Sequence, residues 1–203
     1  MDNQEQLIQL MKRKRMLKSN IIEEAFRNID RSDFVPASLQ MYRYEDIPLP
    51  IGMGQTISQP STVAFMLELL DVNAGQEILD IGCGSGYTTA LLSYLTGPKG
   101  KVWGIERISE LVTTARENLS AYNNGNYEIL SAGAELGMPG RSFDRILVSA
   151  AANIFPVGLL DQLNKPGKIV IPVKDSVYLY KKTESGDILS KEYYGFSFVP
   201  LIM

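Results

Sequence analysis

The stretch Ile78-Leu79-Asp80-Ile81-Gly82-Cys83-Gly84-Ser85-Gly86-Tyr87 runs from an apolar strand pattern into three glycines at alternating positions, then into a helical pattern. Glycines so placed let the backbone turn tightly and approach a ligand, with helix N–H groups aimed at it. Outward from this loop the chain alternates. Residues 62–70 read as a helix, 77–81 as a strand, 87–94 as a helix, 101–105 as a strand and 109–122 as a helix. Strands follow at 127–130 and 143–149, a helix at 159–163 and a strand at 168–173. Such alternation predicts an α/β fold with a mostly parallel sheet covered by helices on both faces. Ile146-Leu147-Val148 and Ile169-Val170-Ile171 have the continuous apolar character of buried strands. Residues 177–181 and 188–199, joined by the polar turn Glu184-Ser185-Gly186-Asp187, predict an antiparallel C-terminal edge.

Residues 7–26 carry apolar positions at helical spacing (Leu7, Leu10, Met11, Leu17, Ile21, Ala25, Phe26). Asn20 with Glu23 reads as a helix start with a capping pair. Residues 30–59 are loop-rich, yet Phe34, Met41, Tyr42, Tyr44, Ile47, Ile51 and Ile57 predict that the segment packs. The expected organisation is an N-terminal helical and loop cover over 1–60 and a ligand-binding core over 61–203.

A glycine loop after a strand binds its ligand in the crevice at the carboxyl ends of the strands. Two ligand classes compete. A dinucleotide fingerprint needs a tiny side chain where Tyr87 stands, which counts against NAD. Asp80, two residues before the first glycine, suits a ligand with a positive group, such as the sulfonium and ammonium of S-adenosylmethionine. Glu106 ends the next strand, where a carboxylate accepts hydrogen bonds from ribose hydroxyls, as it would in either class.

Composition narrows the chemistry. The chain has 203 residues, a net charge of −3, one cysteine and no histidine. A disulfide within the chain, a His- or Cys-rich metal site, and Ser-His or Cys-His nucleophilic catalysis are all excluded. The acidic balance argues against a nucleic-acid partner. No run of about 18 apolar residues is present, and no signal-peptide pattern opens the chain, so the expectation is a cytoplasmic protein with no membrane segment. Lys12-Arg13-Lys14-Arg15, the one charge block, reads as a solvated helix face. Cys83, between two motif glycines, has no cationic neighbour in sequence to activate its thiol.

With these residues in view, the chain resembles the protein-L-isoaspartate (D-aspartate) O-methyltransferases. The likeness covers about residues 30–203. Besides the glycine loop it rests on 31–36 (RSDFVP), 44–60 (YEDIPLPIGMGQTISQP), 104–107 (GIER), 143–152 (FDRILVSAAA), 169–173 (IVIPV) and 198–201 (FVPL). GQTISQP is the specific part, since many methyltransferases share the glycine loop. The resemblance implies a class I, Rossmann-like methyltransferase fold. It further implies methyl transfer from S-adenosylmethionine to the α-carboxylate of L-isoaspartyl residues in damaged proteins, with S-adenosylhomocysteine as product. The ester then collapses to a succinimide that reopens partly as aspartate. A carboxylate attacking an activated methyl needs no general base, so a histidine-free chain is compatible with the reaction.

The same resemblance assigns Ser58 as the active-site serine, orienting the substrate carboxylate. A helix N-cap before residues 62–70 is the competing role. Thr56, Ile57, Asp80, Gly82, Gly84, Gly86, Glu106 and Gly133 fall on the cofactor side, and Val199 where backbone meets the peptide. Asp46 reads as a turn residue. Two positions depart from the family. Ser131-Ala132-Gly133 stands where Gly-Asp-Gly is usual, a lost hydrogen bond worth about 0.5–1.5 kcal/mol, with Glu135 the nearest substitute. Lys174 replaces a common glycine. The departures leave open a relative acting on another carboxylate, or a non-catalytic module binding isoaspartyl chains or the cofactor. The expected unit is a monomer.

Overall fold

A computed structural model describes residues 3–122 and 125–202. Helices α1 (Asn3–Arg13) and α2 (Asn20–Asn28) open the chain, followed by two 3-10 turns, Arg31–Phe34 and Ala37–Tyr42. A short antiparallel hairpin, β1 (Leu49–Gly52) and β2 (Gln55–Ile57), lies in the stretch read as loop. The alternating part then runs α3 (Pro60–Leu70), β3 (Glu77–Ile81), α4 (Tyr87–Thr96), β4 (Lys101–Glu106), α5 (Ser109–Leu119), β5 (Tyr127–Ser131) and β6 (Phe143–Val148). It closes with β7 (Leu163–Val173), β8 (Ser176–Lys182) and β9 (Ile188–Tyr194).

One seven-stranded sheet has the order β5-β4-β3-β6-β7-β8-β9. The first five strands in that order are parallel, and β8 and β9 add as an antiparallel edge. The chain leaves β3 toward one side and resumes on the other with β6. That reversal is the switch point at which open α/β sheets bind ligands.

Side chains alternate across the sheet as strand geometry requires. Ile78, Val102, Ile129, Leu147 and Val170 join residues from all five α-helices in one buried cluster. Leu79, Ile81, Trp103, Ile105, Ile146, Val148 and Ile169 form a second cluster on the opposite face. The helical cover there is reduced to the 3-10 turn Val157–Leu160, whose Leu159 is buried in that cluster. The helix expected at 159–163 is therefore corrected: Pro156 and Gly158 interrupt the crossover, and Leu163 already belongs to β7. Trp103 packs edge-on against Phe143, with the Arg141 guanidinium 4.1 Å above its ring.

Other expectations also change. Strand β9 stops at Tyr194, and residues 195–202 leave the sheet edge; Gly195 and Phe196 donate their N–H groups to the Asp175 carbonyl. The helix expected over 109–122 ends at Leu119. The cap of α2 is Ser19, and no side chain caps the helix. The Ser19 hydroxyl instead donates to Glu68 at 2.7 Å, while Glu23 pairs with Lys12 at 2.7 Å and with Arg27. Lys14 pairs with Asp46 at 2.6 Å, so two of the four basic residues are bound structurally. Within the N-terminal loop Phe34, Ile51 and Ile57 are buried as expected, but Met41, Tyr42 and Ile47 are exposed. Lys174 has φ +53° in the β7–β8 turn, a left-handed conformation that favours glycine.

Candidate active site

A cavity of about 310 Å³ opens at the carboxyl ends of β3, β4 and β6. The glycine loop forms its floor. Gly82 and Cys83 donate their N–H groups to the Ile105 carbonyl, at 2.9 and 3.2 Å, which folds the loop over the end of β4. Gly82 has φ +76°, and a Cβ there would find no atom within 4 Å, because it would project into the cavity. Gly86 has φ +90°, and a Cβ there would strike the Leu119 side chain at 3.0 Å, so this glycine serves the approach of α4 to α5.

Glu106 is 6% exposed and lies in the cavity wall. Its Oε2 accepts from Gly84 N–H at 3.1 Å and its Oε1 from Ile108 N–H at 3.0 Å. These bonds fix the carboxylate and leave lone pairs on both oxygens for a ligand diol. Asp80 sits beneath the loop rather than in the wall. The hydroxyls of Thr88 and Thr89 each donate to its Oδ2 at 2.7 Å. Its Oδ1 is buried with no partner. Burial, helped by the neighbouring Glu106, pushes the Asp80 carboxyl up to about 6. Burial likewise raises the Cys83 thiol, which stays protonated and unreactive.

Tyr87 explains its own presence. It is 3% exposed and packs against Phe26 (ring centroids 6.3 Å) and Phe34 (5.3 Å). A large side chain at this position carries the N-terminal helices on α4.

The remaining wall comes from four other segments. Thr56, Ile57 and Ser58 enter at the end of β2, Ala132, Gly133 and Glu135 after β5, Ser149 and Ala150 after β6, and Val199 to Ile202 from the last segment. Ser58 is not the helix cap; Gln59 holds that position, and Asp46 takes the Ser61 N–H at 2.8 Å. Burial works against the Asp46 carboxylate, but the bonds from Lys14 and Ser61 outweigh it and hold its pKa low. The Ser58 hydroxyl has no hydrogen-bond partner among the described residues. The Val199 carbonyl accepts from Ala151 N–H at 2.8 Å, and Leu201 N–H donates to the Ala151 carbonyl at 2.8 Å. The fold thus brings together Thr56, Ile57, Ser58, Gly82, Gly84, Glu106, Gly133 and Val199, with Asp80 and Gly86 behind the loop.

Sequence reading passed over Ser149, Ala150, Leu201 and Ile202. Ser149 had a usable signal, standing just past a strand that flanks the switch point. A second hollow, of about 410 Å³, adjoins the cavity, and Thr56, Ser58, Ser149 and Val199 line both. Among the described residues no cluster of three His, Cys, Asp or Glu is placed to hold a metal ion, and no helix is long and apolar enough to cross a membrane.

The residues fit a nucleoside bearing a positive charge. The cavity floor at Gly82 is bare backbone where a Cβ would intrude, a fixed carboxylate offers free lone pairs, and an unpartnered acidic oxygen lies below. Fold and site together define a class I, Rossmann-like methyltransferase. The family model described as protein-L-isoaspartate(D-aspartate) O-methyltransferase (PCMT) matches residues 2–203. The chain is 43% identical over 204 residues to the protein-L-isoaspartate O-methyltransferase of Methanopyrus kandleri, covering 98% of this chain and 90% of that one. It is 43% identical over 192 residues to the corresponding protein of Ignicoccus hospitalis, covering 92% and 90%. A crystal structure described as a protein-L-isoaspartate O-methyltransferase from Plasmodium falciparum, in complex with S-adenosyl-L-homocysteine, superposes with TM-score 0.87 at 26% identity. The match covers 100% of this chain and 99% of that one. The chain belongs to the protein-L-isoaspartate O-methyltransferase family.

Proposed function

We propose that this chain methylates the α-carboxylate of L-isoaspartyl residues, and the side-chain carboxylate of D-aspartyl residues, in damaged proteins, with S-adenosylmethionine as donor. The observation that carries this reading is the shared wall: Ser58 lines both the glycine-floored cavity and the adjoining hollow bordered by residues 194–199. When bound, the cofactor supplies an electrophilic methyl group on a sulfonium sulfur.

The chain's own residues contribute binding and alignment. Glu106 accepts hydrogen bonds from the ribose hydroxyls, Gly82 and Gly84 admit the nucleoside to the loop, and Gly86 lets α4 close on α5 behind it. Thr56, Ile57 and Gly133 close its sides, and Asp80 supplies negative charge from below. The Ser58 hydroxyl, free of internal partners, donates to one oxygen of the substrate carboxylate and turns the other toward the cavity. Val199 offers its N–H to the peptide backbone, since its carbonyl is engaged. No proton has to be moved, because the substrate carboxylate is ionised at neutral pH. Alignment alone is worth about 7–11 kcal/mol of barrier.

In this reading residues 1–60 form a cover on the 61–203 core, supported by the packing of Phe26 and Phe34 on Tyr87, and the unit works as a monomer. The test offers S-adenosylmethionine and two peptides differing only in L-isoaspartyl or aspartyl linkage, and follows the added methyl mass. Methylation of the isoaspartyl peptide alone is expected. Methylation of neither would overturn the proposal.

A further inference from the structure

Arg31 is 1% exposed and meets no carboxylate at hydrogen-bond distance. Its guanidinium instead donates to four main-chain carbonyls. Nη1 reaches Arg43 (2.7 Å) and Glu45 (3.3 Å), and Nη2 reaches Ile47 (2.9 Å) and Ser58 (3.3 Å). Its Nε is buried without a partner. Keeping a charge in such a place is costly unless it is well hydrogen-bonded, and burial pulls its pKa below the ordinary arginine value. The bonds have a common destination. Residues 43–47 precede the β1–β2 hairpin, and Ser58 follows it, so one planar group clasps both feet of the hairpin that delivers the serine. Three residues on, Asp46 from the same clasped loop holds the N–H and hydroxyl of Ser61 at 2.8 and 2.6 Å. Ser58 is thereby pinned before and after, while its own hydroxyl stays unengaged.

We propose that Arg31 is a positioning residue for methyl transfer: it fixes Ser58 through the main chain and leaves the serine hydroxyl free to orient the substrate carboxylate. This inference rests on the function proposed above. Arg31 does not line the cofactor cavity, and it bonds neither the glycine loop nor Glu106, the main holders of the cofactor, so its action falls chiefly on turnover. A displacement of about 1 Å at a reacting group can cost about a hundredfold in rate.

Arg145 provides the matched control. It too is a buried arginine on main-chain carbonyls, bonding Leu70, Asp71 and Asp144 at 2.8–3.1 Å, but those groups lie at the amino-end side of the sheet, away from the cavity. The experiment compares Arg31→Gln, Arg31→Lys and Arg145→Lys with the unaltered enzyme. It measures kcat and KM on an L-isoaspartyl peptide, the Kd of S-adenosylhomocysteine, and the thermal midpoint. In Arg31→Gln kcat is expected to fall about a hundredfold, and in Arg31→Lys, which retains a donor, about tenfold. The Kd should change less than about threefold in both, and Arg145→Lys should lose thermal stability with kcat unchanged. If Arg31→Gln does not fold, the Lys pair decides. Equal kcat in Arg31→Lys and Arg145→Lys would overturn the inference, as would a Kd that rises in step with the loss of kcat. Failure of the unaltered enzyme to methylate the peptide would overturn the underlying reading and this inference together. An active enzyme with insensitive Arg31 variants would overturn the inference alone.

Discussion

Replacing Asp80 by Asn should change how stability depends on pH, and the size of the change follows from the carboxyl's surroundings. Asp80 is fully buried, two threonine hydroxyls donate to one oxygen, and the other oxygen has no partner. Its pKa is pushed from 3.8 to about 6, first by burial and then by Glu106. A shift of roughly 2 units corresponds to about 3 kcal/mol, at about 1.4 kcal/mol per unit. The sign is that of a raised pKa. Below about pH 4 the group is protonated whether the chain is folded or not, and its contribution is fully present. As pH rises toward 6 the unfolded chain ionises freely while the folded chain resists, and the contribution is lost. Asn cannot ionise and keeps an acceptor for Thr88 and Thr89. It leaves a buried amide N–H₂ whose cost, about 1–3 kcal/mol, does not vary with pH. Urea unfolding without ligand, at steps from pH 4 to 7.5, isolates the slope. The stability of the unaltered chain minus that of Asp80→Asn should fall by about 2.5 kcal/mol across that range, since a little of the total is already lost at pH 4. A difference constant to within about 0.5 kcal/mol would show that Asp80 is not held off ionisation, and would refute the reasoning.

Ser58→Ala should lower kcat on an isoaspartyl peptide about tenfold to a hundredfold, the value of one hydrogen bond to a charged group, with the Kd of S-adenosylhomocysteine unchanged; a turnover like that of the unaltered enzyme removes the serine from the mechanism. Glu106→Gln keeps the shape of the wall but loses charge, and calorimetry should find S-adenosylhomocysteine binding weakened about tenfold or more. Lys174→Gly relieves a left-handed residue, worth about 1–2 kcal/mol, against about 0.5–1 kcal/mol of added chain entropy. The net is a rise in thermal midpoint of about 1–3 °C with unaltered turnover, and a lowered midpoint would contradict it.

The sheet was legible because its central strands are buried on both faces and read as unbroken apolar runs, Ile146-Leu147-Val148 above all. The glycine loop was legible because its φ values demand glycine. The β1–β2 hairpin was not: Pro48, Pro50 and Gly54 carry a loop signature, and the pairing depends on packing under Ile51 and Ile57 rather than on local preference. The reduced helical cover over β6–β7 was hidden in the same way, since Leu159, Leu160 and Leu163 have helical spacing until Pro156 and Gly158 shorten the turn. At the site, Glu106 was readable from its place at a strand end, whereas Ser58 came only with the family resemblance, since its position alone suggested a helix cap, which is Gln59. Arg31 was quoted only as one letter of RSDFVP, because nothing in a sequence distinguishes a surface arginine from one enclosed by four carbonyls. The Asp80–Thr88–Thr89 cluster needed the loop's curvature to bring a strand end over the first turn of a helix.

The cavity wall is assembled from residues as distant as Thr56 and Ile202, and the last segment reaches it through Ala151. Residues 195–202 have left the sheet edge, and they come back to the wall through two main-chain bonds, Ala151 N–H to the Val199 carbonyl and Leu201 N–H to the Ala151 carbonyl. One side of the cavity is thus tethered at a single residue, while the opposite side is built into the ends of the parallel strands.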